Sequence, residues 1–126
     1  IYIREMQMIQ VIRQAKTIQE GINNLIEASK LDFKNRYPKA DAEYKVVEGK
    51  KYIKIIRDSS AHSFIVKEDD GKFKKGDILM ASTWTTPAKN QARGNLFTGF
   101  YIEWTGAIYL DTKVFYADPR KQHILI

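Results

Sequence analysis

YKVVEGKKYIKIIRDSSAHSFIVKEDDG, residues 44–71, is the stretch whose reading decides the fold class of this chain. It holds three short runs rich in β-branched and aromatic residues: Tyr44 to Glu48, Lys51 to Arg57 and His62 to Lys67. Glu48-Gly49-Lys50 and Asp58-Ser59-Ser60 separate them, and Glu68-Asp69-Asp70-Gly71 closes the last; all three clusters have turn composition. Strands so close in sequence pair most simply as an antiparallel meander, to which Asp77 to Ser82 adds a fourth strand. In the second run Tyr52, Lys54 and Ile56 share one face while Ile53, Ile55 and Arg57 share the other. Neither face is purely apolar. The strand is therefore central and partly covered, or its tyrosine and lysine side faces a polar ligand.

Upstream, from about Ile3 to Phe33, no proline occurs and the apolar residues follow helical spacing. Met8, Val11, Ala15, Ile18, Ile22 and Leu25 recur at steps of three and four, with Ile9, Ile12 and Ile26 widening the stripe. This pattern predicts one long amphipathic helix that packs on the sheet or overruns it to meet another subunit. Gly21, costing about 1 kcal/mol relative to alanine in a helix interior, and Asn23-Asn24 mark a kink or break. The helix ends near Arg36-Tyr37-Pro38, because the residue before proline is pushed out of helical geometry. Residues 1–38 thus read as an N-terminal helical segment and 39–126 as an antiparallel β-rich domain, together one folding unit.

Downstream, Asp77 to Gly99 (DILMASTWTTPAKNQARGNLFTG) crowds a tryptophan, a proline, two cations and a glycine into one segment. Thr85 and Thr86 suit an N-cap, Pro87 the first helical position and Gly94 the residue after the end. A short helix from Pro87 to Arg93 is the expectation, placing Lys89 and Arg93 on one face and free amides, an anion seat, after Thr86. Phe100 to Trp104 and Ala107 to Leu110 read as further strands, Lys113 to Tyr116 as another, and His123 to Ile126 as an apolar tail docked on the core or a neighbour. The fold class is α+β: a long N-terminal helix, a small antiparallel sheet and a short helix after the fourth strand.

The 126 residues carry a net charge of +6, with 44% hydrophobic and 29% charged residues, the balance of a globular domain with an affinity for anionic partners. No apolar run approaches the roughly 20 residues that span a bilayer, and no signal-peptide pattern opens the chain. The expected setting is intracellular, without membrane partners. Cysteine is absent and histidine occurs twice, so thiol catalysis, disulfides and a His/Cys metal site are not expected. No phosphate-loop, dinucleotide or nucleophile-elbow motif occurs. His62 and Ser63 are adjacent on a strand, where neighbouring side chains face opposite sides, so they are not read as a base and nucleophile. The expectation is a protein without enzymatic activity or cofactor.

For binding, cations interleave with aromatics. Lys51, Tyr52, Lys54, Arg57, Trp84, Lys89 and Arg93 form the candidate set, since lysines and arginines that follow a phosphate backbone beside rings that stack bases are what single-stranded nucleic acid requires. The segment from Lys51 to Gly99 also resembles a group of small tailed-phage proteins of uncharacterised function. The resemblance rests on the KYIKIIR strand, on His62 and Phe64 followed by the Asp70-Gly71 turn, and on Trp84, Pro87, Ala88, Lys89, Arg93, Gly94 and Asn95. It covers about two-fifths of the chain and leaves out the N-terminal helix and the residues after Asp111. It implies a phage origin, hence the host cytoplasm or the virion rather than secretion, and no catalytic residues. The leading reading is a nucleic-acid-binding protein with single strands favoured; the alternatives are a viral structural or assembly protein that forms homo-oligomers through its N-terminal helix and C-terminal tail, and a small inhibitor whose basic surface suits an acidic host protein.

Overall fold

The computed structural model describes residues 9–11 and 15–108. In chain order the elements are β1 (Ile9–Val11), α1 (Ile18–Arg36), β2 (Tyr44–Glu48), β3 (Tyr52–Arg57), β4 (Ser60–Val66), β5 (Ile78–Leu79), β6 (Gly94–Asn95), β7 (Gly99–Glu103) and β8 (Gly106–Ile108). The architecture is α+β, with one helix and two small antiparallel sheets. The first sheet is the meander read from residues 44–71, in the order β2-β3-β4-β5. In the second, β7 pairs with β1 on one side, and with β6 and β8 along successive stretches of its length.

The N-terminal helix is shorter than the apolar spacing predicts. Residues Ile9–Val11 are a strand, pairing Ile9 with Ile102 and Val11 with Phe100, and both apolar side chains are fully buried. Helix α1 starts only at Ile18, after Thr17 in extended geometry (φ −134°, ψ 160°), whose Oγ1 accepts the Glu20 N–H at 3.1 Å. That Thr-x-x-Glu pattern is a helix-start signal that the apolar periodicity concealed. Glu20 in the first turn and Lys34 and Arg36 in the last suit the helix dipole, and the Tyr37 N–H closes the final turn on the Phe33 carbonyl before Pro38 stops it. No break occurs at Gly21. An added Cβ there would lie 2.7 Å from Leu96 Cβ, so glycine lets the helix approach residue 96.

The core lies where the helix meets both sheets. Ile22, Leu25 and Ala28 of α1 pack with Ile9 and Val11 of β1, Ile53, Ile55 and Ile65 of the meander, and Phe100 and Ile102 of β7. The described part of the helical stripe is thus spent on the chain's own interior. The opposite face of the meander carries a second cluster, Phe64, Val66, Phe73 and Leu79, with Tyr52, Ala61, Ala81 and Ala92 against it. The expected short helix from Pro87 to Arg93 is not formed. Pro87 bridges Ala81, the Ala88 N–H donates to the Met80 carbonyl at 2.7 Å, and the Arg93 N–H donates to the Ile78 carbonyl at 2.8 Å. These amides are engaged in an extended, hairpin-like return to β5 and are not free to start a helix. Gly94, at φ 142°, is not a helix terminator either; Phe100 Cβ would stand 2.6 Å from a side chain there. The readings for residues 1–8, Lys113 to Tyr116 and the C-terminal tail lie outside the described residues.

Candidate nucleic-acid interface

The meander's outer face brings together three of the sequence-derived candidates. Strand alternation points Tyr52 and Lys54 outward while Ile53 and Ile55 enter the core. Register pairing sets Lys54 beside Phe64 and Tyr52 beside Val66. The Tyr52 ring stands edge-on to Phe64 at 6.1 Å, fixing the tyrosine at the margin of the second cluster. Trp84 arrives from a different part of the chain. The Lys54 ammonium sits 3.4 Å from the centre of its ring, a cation–π contact, and the indole remains 50% exposed.

A tight turn holds Trp84 there. Ser82 and Thr83 N–H both donate to the Thr86 carbonyl, and Thr83 Oγ1 accepts from the N–H groups of Thr85 (3.2 Å) and Thr86 (3.1 Å). The amides of Thr85 and Thr86 are thus taken by a threonine hydroxyl; after Thr86, Pro87 has no N–H and the Ala88 N–H donates to the Met80 carbonyl, so the expected anion seat is not formed. A depression of about 190 Å³ is lined by Lys50, Lys51 and Tyr52 and by the segment from Val66 to Asp70. Lys51 lies 3.7 Å from Asp70 with both side chains largely exposed, a solvent-screened pair that a stronger anion can displace.

The other cations stand elsewhere. Arg57 follows the core-side parity of Ile53 and Ile55: its guanidinium stacks 4.3 Å from the centre of Trp104, beside Asp58, and its side chain is largely covered. Arg93 donates from Nη1 to the Ala107 carbonyl at 2.9 Å, tying the return segment to β8. Lys89 is exposed, but without the short helix it shares no face with Arg93; its carbonyl accepts the Lys72 ammonium at 3.2 Å. Lys72 also donates to the Asn90 carbonyl and so straps that segment down. Nothing in residue type or spacing distinguishes these anchoring cations from binding ones.

A buried polar chain crosses the helix–meander interface. The pairing of β3 with β4 shifts register between Ile55 and Ile56, so that Ile55 opposes Ser63 while Ile56 opposes Ala61. This bulge turns His62 and Ser63 toward each other, against the expectation from strict alternation, and Ser63 Oγ lies 2.7 Å from His62 Nδ1. Ser29 Oγ donates to the Leu25 carbonyl and lies 3.1 Å from His62 Nε2, which assigns the imidazole proton to Nε2 and leaves Nδ1 to accept from Ser63. Burial, with the Arg57 charge adding to it, pushes the imidazole down to about 3. With Ser63 only 1% exposed, the pair has no access to a substrate, and its chemistry is that of a satisfied interior network. Nearby, the fully buried Asp32 accepts from Arg36 Nε at 2.9 Å and from the Trp104 N–H at 2.8 Å. Burial raises its carboxyl above the ordinary value against the lowering effect of those two donors.

An α+β protein with a half-exposed tryptophan and lysine platform on an antiparallel meander is the class that fold and site define. The chain belongs to DUF7717, a family of unknown function, which matches residues 2–109. No curated protein and no solved structure matches it significantly. Among the described residues, no group of three or more His, Cys, Asp or Glu side chains is arranged to hold a metal ion, and no helix is long and apolar enough to cross a membrane.

Proposed function

We propose that this protein is a non-enzymatic, phage-encoded nucleic-acid-binding protein that takes single strands across the outer face of its meander. The observation that carries the reading is Trp84: a half-exposed indole in a hydrogen-bonded turn, with an ammonium on its ring and Tyr52 on the same face. A large aromatic in that position offers a base a stacking surface, and Lys54, Lys51 and Lys50 offer its phosphates a basic track. The net charge of +6 supplies the long-range attraction. Lys89 extends the set. Arg57 and Arg93 are anchors of the fold and have no part in it.

Fluorescence anisotropy of labelled single-stranded DNA, duplex DNA and RNA at two salt concentrations tests the proposal. Trp84→Ala is expected to weaken single-strand binding by roughly 1–3 kcal/mol for each base stacked on it. Lys54→Ala is expected to weaken binding and to reduce the salt slope by about one. Arg93→Ala is expected to lower the Tm and leave the slope unchanged. Absence of binding at low salt, or full affinity in both the Trp84 and Lys54 variants, rejects the reading.

A further inference from the structure

Strand β2 forms one side of the meander, and among the described residues β3 is the strand that pairs with it. The Glu43 carbonyl accepts from the Asp58 N–H at 2.7 Å, and the Gly49 N–H donates to the Tyr52 carbonyl at 2.8 Å. These two bonds fix the phase of the ladder: odd-numbered residues of β2 turn their peptide groups toward β3. Tyr44, Val46 and Glu48 therefore direct N–H and C=O away from the sheet. Their register with β3 runs unbroken from Tyr44 opposite Arg57 to Glu48 opposite Ile53, so no bulge blunts this edge, and it contains no proline. At its middle Val46 and Val47 are 42% and 49% exposed, one on each face.

We propose that this edge pairs with the same edge of a second copy of the chain, antiparallel, about a two-fold axis through Val46. An isologous pairing about the sheet normal sets residues of the same face opposite each other, which leaves only registers centred on one residue. Centring on Lys45 opposes two lysines and centring on Glu48 opposes two glutamates; both shorten the overlap, as does centring on Val47. Centring on Val46 overlaps the whole strand. Tyr44 then faces the second copy's Glu48, Lys45 faces its Val47, and no like charges are opposed. Every outward N–H of Tyr44, Val46 and Glu48 meets an outward carbonyl. The two meanders become one continuous sheet with both Trp84 platforms on the same side. An interface of two short strands is below the standard size, so the dimer is concentration-dependent. Each copy carries +6, so added salt strengthens the dimer by screening, opposite to its effect on nucleic-acid binding.

Analytical ultracentrifugation over a wide protein concentration range, at low and high salt, is the test. Val46→Pro deletes an N–H that the β2–β3 ladder does not use, while Val46→Lys opposes two ammonium groups at the axis. The wild type is expected to show a reversible monomer–dimer equilibrium shifted to dimer by salt, and both variants to stay monomeric with an unchanged circular dichroism spectrum. Should the proline variant fail to fold, the lysine variant, which alters only a half-exposed side chain, decides. A wild type that remains monomeric to millimolar concentration overturns the proposal, and so does a folded Val46→Lys protein that dimerises like the wild type.

Discussion

His62 shows most directly how one residue's surroundings set a measurable property. Its ring is enclosed by Ser29, Ser63 and the edge of Tyr44, 5.5 Å away, and is held neutral with a pKa lowered to about 3. The unfolded chain takes up a proton near the ordinary value of 6.5, and the folded chain does not until far lower pH. Stability is therefore lost as pH falls from 6.5 toward 3, at up to about 1.4 kcal/mol per pH unit from this residue. Asp32 acts in the opposite sense: its raised pKa means the folded state gains a proton before the unfolded one, which offsets part of the loss near the carboxylate range. Urea unfolding of the wild type and His62→Gln between pH 4 and 7 is expected to show a stability difference that shrinks as pH falls. A difference independent of pH would mean that His62 is not buried as a neutral ring. The sequence places His62 on a strand and half-buried, but its contact with Ser63 was not legible, because alternation puts the two on opposite faces and only the bulge at Ile55/Ile56 brings them together.

The elements were legible where local chemistry and tertiary packing agree. Turn clusters and β-branched runs delimit β2, β3 and β4 closely, and Pro38 ends α1 as read. Where one apolar pattern suits two structures, packing decides. Ile9 and Val11 satisfy a helical stripe and equally an alternating strand, and the open edge of β7 takes them as strand partners. Likewise Thr85, Thr86 and Pro87 fit a helix start, but Thr83 Oγ1 and the return to β5 claim the amides first. The candidate site was half legible: the outward parity of Tyr52 and Lys54 follows from strand period, whereas the arrival of Trp84 over Lys54 depends on a turn that the sequence misassigns. Gly21 gives the prediction at this scale. Alanine is the better helix former by about 1 kcal/mol, yet its Cβ would meet Leu96 Cβ at 2.7 Å, closer than atoms pack. Gly21→Ala is accordingly expected to lower the Tm, and a raised Tm would show that helix propensity outweighs the close approach.

At the scale of the whole molecule, the question is whether helix, meander and second sheet unfold together. One apolar cluster contains side chains from α1, β1, β3, β4 and β7, with Ile55 fully buried within it. A separate aromatic group ties the end of the helix to the β7–β8 turn: Phe33 and Tyr37 meet the Trp104 ring at 5.4 and 5.7 Å, Asp32 accepts the Trp104 backbone N–H, and Arg57 of the meander stacks on the Trp104 indole. Trp104 thus touches all three parts and reports on their assembly, while far-UV circular dichroism at 222 nm reports on the helix. Its emission can be isolated in a Trp84→Phe background, since Trp84 lies on the exposed platform. The two probes are expected to give one coincident transition in urea. Ile55→Ala, which removes buried methyl and methylene groups from the shared cluster, is expected to shift both midpoints together by an amount corresponding to about 2–5 kcal/mol. If the helical signal instead survives to higher urea than the Trp104 signal, residues 18–36 form a separately stable unit and the shared core does not bind the elements into one. Coincidence in both the parent and the Ile55 variant means that the packing around Ile55 holds helix and sheets as a single cooperative body, on which the Trp84 platform is a fixed surface feature.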